Sequence, residues 1–157
     1  MNGNEGRSVH LELSTRHRLR AKGSRIHVSS AGLRQGNYIG SLRRAFLLER
    51  GIPRKEVDSH RPAIFGVEHA GADLILVAEL PMKARLLAAW PELQGRVMTV
   101  RGFVQGFSPQ NEAISEADAR IEDAGGHTAE EKLALYKELE ILAEQVALRL
   151  LANQRGE

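Results

Sequence analysis

Met1-Asn2-Gly3-Asn4-Glu5-Gly6-Arg7-Ser8-Val9 opens the chain, and Val28-Ser29-Ser30-Ala31-Gly32-Leu33 follows it. The first stretch strings together the groups that an anion needs. A phosphate is held by several donors converging on its oxygens, and consecutive backbone amides in a tight loop at a helix N-terminus supply them with a favourable dipole. Gly3 and Gly6 permit the backbone angles and close approach of such a nest. Arg7 adds a planar fork that matches two oxygens, and Ser8 can cap a helix or brace the loop. Taken alone, Gly-Asn-x-Gly-Arg-Ser is a short motif, and a loose N-terminus explains it equally well.

Working outward, helical and strand patterns alternate, which predicts an α/β layered domain with a mainly parallel sheet. Ser24–Ser30 alternates Ile26 and Val28 and ends at Ala31-Gly32, so it reads as a strand. Leu42, Ala45, Phe46 and Glu49 lie at helical spacing, and Gly51 with Pro53 stops that helix. Leu74–Ala78 is a continuous apolar run, as in a strand buried on both faces. Pro81 suits a first helical turn; Met82, Leu86, Ala89 and Trp90 form one core-facing side, and Pro91 ends the helix. Val97–Phe103 reads as a strand. Thr128-Ala129-Glu130-Glu131 fits a capping box ahead of the stripe Leu135, Leu139, Leu142, Val146, Leu150, the clearest helix of the chain. Segment 8–22 is ambiguous: Val9, Leu11 and Leu13 alternate, whereas Glu12, Arg16 and Arg20 share a helical face.

With 157 residues, 42% apolar and 27% charged, the chain suits one soluble domain over residues 1–157. No apolar run is long enough to span a bilayer and no signal-peptide core is present, so no membrane partner is expected and a cytoplasmic location is the default. The absence of cysteine excludes disulfides, thiolate catalysis and cysteine-based metal sites. Charge is unevenly spread: 13 Lys/Arg face 5 Asp/Glu in residues 1–61, against 5 and 11 in residues 112–157. A positive first third can attract an anion. Arg16-His17-Arg18-Leu19-Arg20-Ala21-Lys22 is basic, but aromatics make up only 4% of the chain; a solvated helix face is expected there rather than a nucleic-acid partner. The histidines lack metal-ligand spacing, and no metal or cofactor is expected.

In order and spacing the chain resembles the low-molecular-weight protein tyrosine phosphatases, whose phosphate loop reads Cys-x-Gly-Asn-x-x-Arg-Ser. Gly3, Asn4, Arg7 and Ser8 fall in place. Ser30-Ala31-Gly32, Gly51-Ile52, Ser59-His60-Arg61 and Ala72–Val77 are similar to later family segments, and Ile121-Glu122-Asp123 sits at its general-acid loop. The resemblance implies a helix directly after the loop. It also implies a three-layer αβα fold with a four-stranded parallel sheet in order 2-1-3-4. The first strand would be absent or incomplete in this chain; an upstream start, a strand from another chain, or a rearranged sheet would account for it, and an upstream start is the expectation.

The resemblance assigns phosphate contacts to Gly3, Asn4, Gly6, Arg7 and Ser8, and the general acid to Asp123. The nucleophile position is Met1, whose thioether cannot form the phosphoenzyme. The family's second loop cysteine is Gly6 here. Ala124-Gly125-Gly126 replaces the proline and aromatic residue that would grip a phosphotyrosine ring. The expectation is a catalytically inactive relative binding phosphate, another oxyanion or a phosphorylated protein, with homodimers possible. The alternatives are weak phosphatase or arsenate-reductase-like activity through Asp123 and water, and a ligand-free scaffold or regulatory subunit.

Overall fold

A computed structural model describes residues 6–156. The fold is α/β, with a small parallel sheet among helices. In chain order the helices are α1 (Arg7–Ala21), α2 (Ser41–Glu49), α3 (Arg54–Ser59), α4 (Val67–Ala70), α5 (Leu80–Ala89), α6 (Val100–Gln105), α7 (Glu116–Ala119) and α8 (Ala129–Gln154). Strand β1 (Ile75–Val77) precedes α5 and β2 (Val97–Thr99) follows it. The strands pair in parallel, Ile75 with Val97, Leu76 with Met98 and Val77 with Thr99.

The ambiguous segment is helical, and the structure explains its misleading alternation. Residues two apart on a helix lie about 200° apart around its axis. Leu11 packs into a core with Val77, Met82, Val97, Leu139 and Val146. Val9 and Leu13 face the other way, into a second core with Leu47, Ile52 and Val57. α1 therefore runs between two cores, and its apolar residues appear on opposite sides.

α8 starts as its capping box predicts. The Thr128 hydroxyl accepts from the Glu131 amide at 3.2 Å, and the Glu131 carboxylate accepts from the Thr128 amide at 3.0 Å. α2 ends at Gly51, whose φ of 89° is the left-handed cap geometry that glycine favours. The Ile52 amide turns back to the Leu47 carbonyl at 3.1 Å.

Two expected strands differ. Val97–Phe103 is strand only to Thr99, because the Thr99 hydroxyl accepts from the Gly102 amide at 3.0 Å and caps α6. Segment 24–30 keeps its alternation, Ile26 and Val28 turned inward and Arg25, His27 and Ser29 exposed, but joins no ladder among the described residues. A cavity of ≈ 750 Å³ lies between residues 26–31 and β1, with Leu11, Met82, Val100 and Val146 among its walls. That cavity leaves Ile75 and Leu76 half-buried, where the sequence reads as a strand covered on both faces. The four-strand order is thus represented by β1 and β2 among the described residues.

Candidate functional site

Arg7 is the first residue of α1 and the one around which the candidate site is built. Its side chain is 5% exposed, and Nη1 donates to the Ile121 carbonyl at 2.6 Å. Two carboxylates stand further off: Glu79 Oε2 is 3.8 Å from Nη1 and Asp123 Oδ2 is 3.8 Å from Nη2. These are ion-pair distances, wider than hydrogen bonds. Glu79 in turn lies 3.7 Å from Nε of Arg120. The guanidinium is fixed by a neutral carbonyl, and neither carboxylate engages it closely.

The helix behind Arg7 favours an anion. No acidic residue occupies the first turn of α1, and Gly6 at the N-cap offers no side-chain cap. The partial positive charge of a helix N-terminus is therefore left without a carboxylate from its own first turn. Ser8 is buried in that turn and is among the residues that line the cavity.

Asp123 is 62% exposed, and its Oδ1 accepts from the Gly125 amide at 3.2 Å. It shapes its own turn as well as facing Arg7. The structure thus brings together Gly6, Arg7, Ser8 and Asp123; Met1, Gly3 and Asn4 lie outside the described residues.

The sequence reading missed Glu79 and Arg43. Arg43, on α2, is 6% exposed, and its guanidinium sits 4.5 Å from the centre of the Tyr136 ring. Its Nη1 is 3.1 Å from where a side chain on Gly6 would begin. Burial pulls Arg43 down from its usual value; Tyr136 and Asp123 oppose this, and Arg7 adds to it. The available signal was the glycine at position 6, which leaves room for a neighbour.

Further along α1, His10 Nε2 donates to Glu140 at 3.0 Å, Ser14 donates to the same carboxylate, and Arg18 reaches it at 3.0 Å. The basic face is also neutralised. Arg16 bonds the Val28 carbonyl at 2.7 Å and Glu12 at 3.2 Å, and Arg20 pairs with Glu56. Glu12 also accepts from Ser30 at 3.0 Å, with His60 at 3.9 Å. Among the described residues no helix is long and apolar enough to cross a membrane.

No protein-family model and no curated protein matches the chain. Solved structures do. The YwlE arginine phosphatase from Geobacillus stearothermophilus is similar with a TM-score of 0.80 and 24% identity, over 99% of this chain and 92% of that one. A low-molecular-weight protein tyrosine phosphatase from T. tengcongensis gives 0.76 and 26%, over 92% of each chain. Wzb of Vibrio vulnificus, solved in complex with benzylphosphonate, gives 0.74 and 20%, over 95% and 94%.

Proposed function

We propose that this chain, which has the fold of the low-molecular-weight protein tyrosine phosphatases and no cysteine, binds a phosphate-like oxyanion at Arg7 without turning it over. The observation that carries this reading is the state of Arg7. Among the described residues, a buried guanidinium at the head of a 15-residue helix is held at one carbonyl, with both neighbouring carboxylates at 3.8 Å. Gly6 and Ser8 flank it, and Gly3 and Asn4 complete the loop by sequence. The same pattern of donors would accept a free oxyanion or the phosphoryl group of a phosphorylated protein. That the Vibrio protein was solved with a phosphonate supports an oxyanion as the ligand class.

Catalysis by the covalent route requires a nucleophile at the position of Met1, and a thioether cannot serve. Asp123 as a general acid would contribute about 10²–10⁴-fold by itself, far below phosphatase rates. In the bound state Arg7 neutralises the anion, and the first-turn amides orient it.

Thermal unfolding with and without phosphate or tungstate tests this reading. Ligand at ~100 times its dissociation constant stabilises by about 2.7 kcal/mol, a rise of about 5–10 °C for a domain of this size. The rise is expected in the wild type and absent in Arg7→Ala. No rise in the wild type would overturn the assignment.

A further inference from the structure

The oxyanion reading makes no use of the cavity between residues 26–31 and β1. One wall of that cavity is the edge of a sheet. The Ile75 amide donates to the Arg96 carbonyl, just ahead of β2, at 2.8 Å. Backbone groups alternate sides along a strand, so the amide and carbonyl of Leu76 turn away from β2. Among the described residues β1 pairs with β2 alone, and no backbone bond joins it to residues 26–31. The opposite wall is the extended segment 24–30, with Ile26 and Val28 turned inward. Arg16 already engages the Val28 carbonyl, so β1 is the wall with backbone groups to offer. Leu11, Met82, Val100 and Val146 make the rest of the lining apolar. A small apolar molecule would cover those side chains but leave the Leu76 backbone unpaired, which is costly in a buried place. An extended chain satisfies both demands.

We propose that this cavity is a strand-acceptor slot, which takes an extended apolar segment of another polypeptide beside β1 and parallel to it, as β2 is. The size fits. A strand rises about 3.3 Å per residue in a slab about 4.8 Å wide and about 10 Å thick, so ≈ 750 Å³ holds about five residues. Apolar walls call for a continuous apolar run in the segment. The charge of the lining names the flank. Glu12, Glu68 and Asp73 line the cavity, with no Lys or Arg among the described residues. Glu12 is engaged by Arg16 and Ser30, whereas Glu68 and Asp73 are exposed. Asp73 stands just before β1, and Glu68 lies on α4, which leads into it. A segment parallel to β1 therefore carries lysine or arginine just ahead of its apolar run.

Fluorescence anisotropy with the labelled peptide Lys-Lys-Val-Ile-Val-Ile-Val-Gly-Ser tests this. The peptide is expected to bind, and two prolines at its centre should weaken it by at least about tenfold, because they remove ladder donors and clash with the sheet. Asp73→Lys, at an exposed position, should weaken the lysine peptide by about threefold and favour a peptide with glutamates in their place. Amide hydrogen exchange followed by NMR locates the contact. Bound peptide should slow the Leu76 amide by at least about tenfold, with little change at Val77, whose amide faces β2. Failure of the lysine peptide to bind, equal binding of the proline peptide, or an unchanged Leu76 amide would overturn the proposal. So would a Leu76 amide as protected as Val77 without peptide. Protection independent of protein concentration would then place a segment of this chain in the slot, and protection that grows with concentration a second copy.

Discussion

Two stretches of α1 treat buried charge in opposite ways. In the middle of the helix the Glu140 carboxylate of α8 is gripped by His10, Ser14 and Arg18. At the N-terminus the Arg7 guanidinium has, among the described residues, one tight bond, to a neutral carbonyl, and both carboxylates stay at 3.8 Å. The first arrangement satisfies its charge within the chain, so it locks α1 onto α8. The second leaves its charge without a close carboxylate among the described residues, which is the ground of the proposed oxyanion site. The same helix therefore carries a structural ion cluster and, on the proposed reading, the oxyanion site, separated by which groups find close partners among the described residues.

The largest expected effect lies on the structural side. Glu140→Ala removes the acceptor shared by three side chains, two of them buried. Urea unfolding should show a loss of about 3 kcal/mol, the scale for breaking a buried charged cluster. The rise in melting temperature with phosphate should survive in this variant. A loss below about 1 kcal/mol would break the contrast, because Glu140 would then be no more engaged than Arg7.

Acid should weaken the same cluster. Burial alone would raise the Glu140 carboxyl, but the hydrogen bonds from His10, Ser14 and Arg18 outweigh it and hold the group at about 2, below its usual 4.5. His10 is lowered from 6.5, first by burial and further by Arg43, against the pull of Glu140. Both groups therefore bind protons more readily in the unfolded chain. Their stabilisation is complete above about pH 6.5 and is lost as pH falls, first through His10 and then, below 4.5, through Glu140. Melting temperature against pH checks the sign. In Glu140→Gln the limb below 4.5 should flatten.

Arg7→Ala should cost less stability than Glu140→Ala, about 1–2 kcal/mol for one charge-assisted bond, and should abolish the oxyanion response. Opposite rankings of the two variants in urea and in ligand binding would sharpen the division of labour along α1. Equal rankings in both would erase it.

Local rules were enough for part of this architecture. α8 was legible because its cap, its acidic first turn and its stripe all lie within one segment. α2 was legible for the same reason, closing on a left-handed Gly51. Val97–Phe103 misled because β-branched residues surround Thr99, and whether that hydroxyl caps a helix depends on the turn that follows. α1 defeated periodicity because its two apolar faces meet two cores that form only on folding. Arg7, Gly6 and Asp123 could be named by resemblance, but not the 3.8 Å spacing that leaves Arg7 available. Arg43 and Glu140 were invisible in kind. Each is a charged residue on a helix that reads as amphipathic, and its partners lie far away in sequence.

Asp123 provides the smallest and most discriminating test. It is largely exposed and stands 3.8 Å from Arg7, so its contribution to stability should be small, and Asp123→Asn should shift it by no more than about 0.5 kcal/mol. The amide still offers an oxygen to the Gly125 amide, so the turn should persist. What changes is the field at the site. Removing one negative charge beside Arg7 removes a competitor for it, and phosphate affinity should rise by about threefold. A residual phosphatase using Asp123 with water predicts the opposite signature: turnover of a chromogenic phosphomonoester in the wild type that vanishes in the variant. Tighter binding with no turnover in either protein identifies Asp123 as an electrostatic neighbour of a binding site; activity that disappears with the carboxylate would make it a catalytic acid.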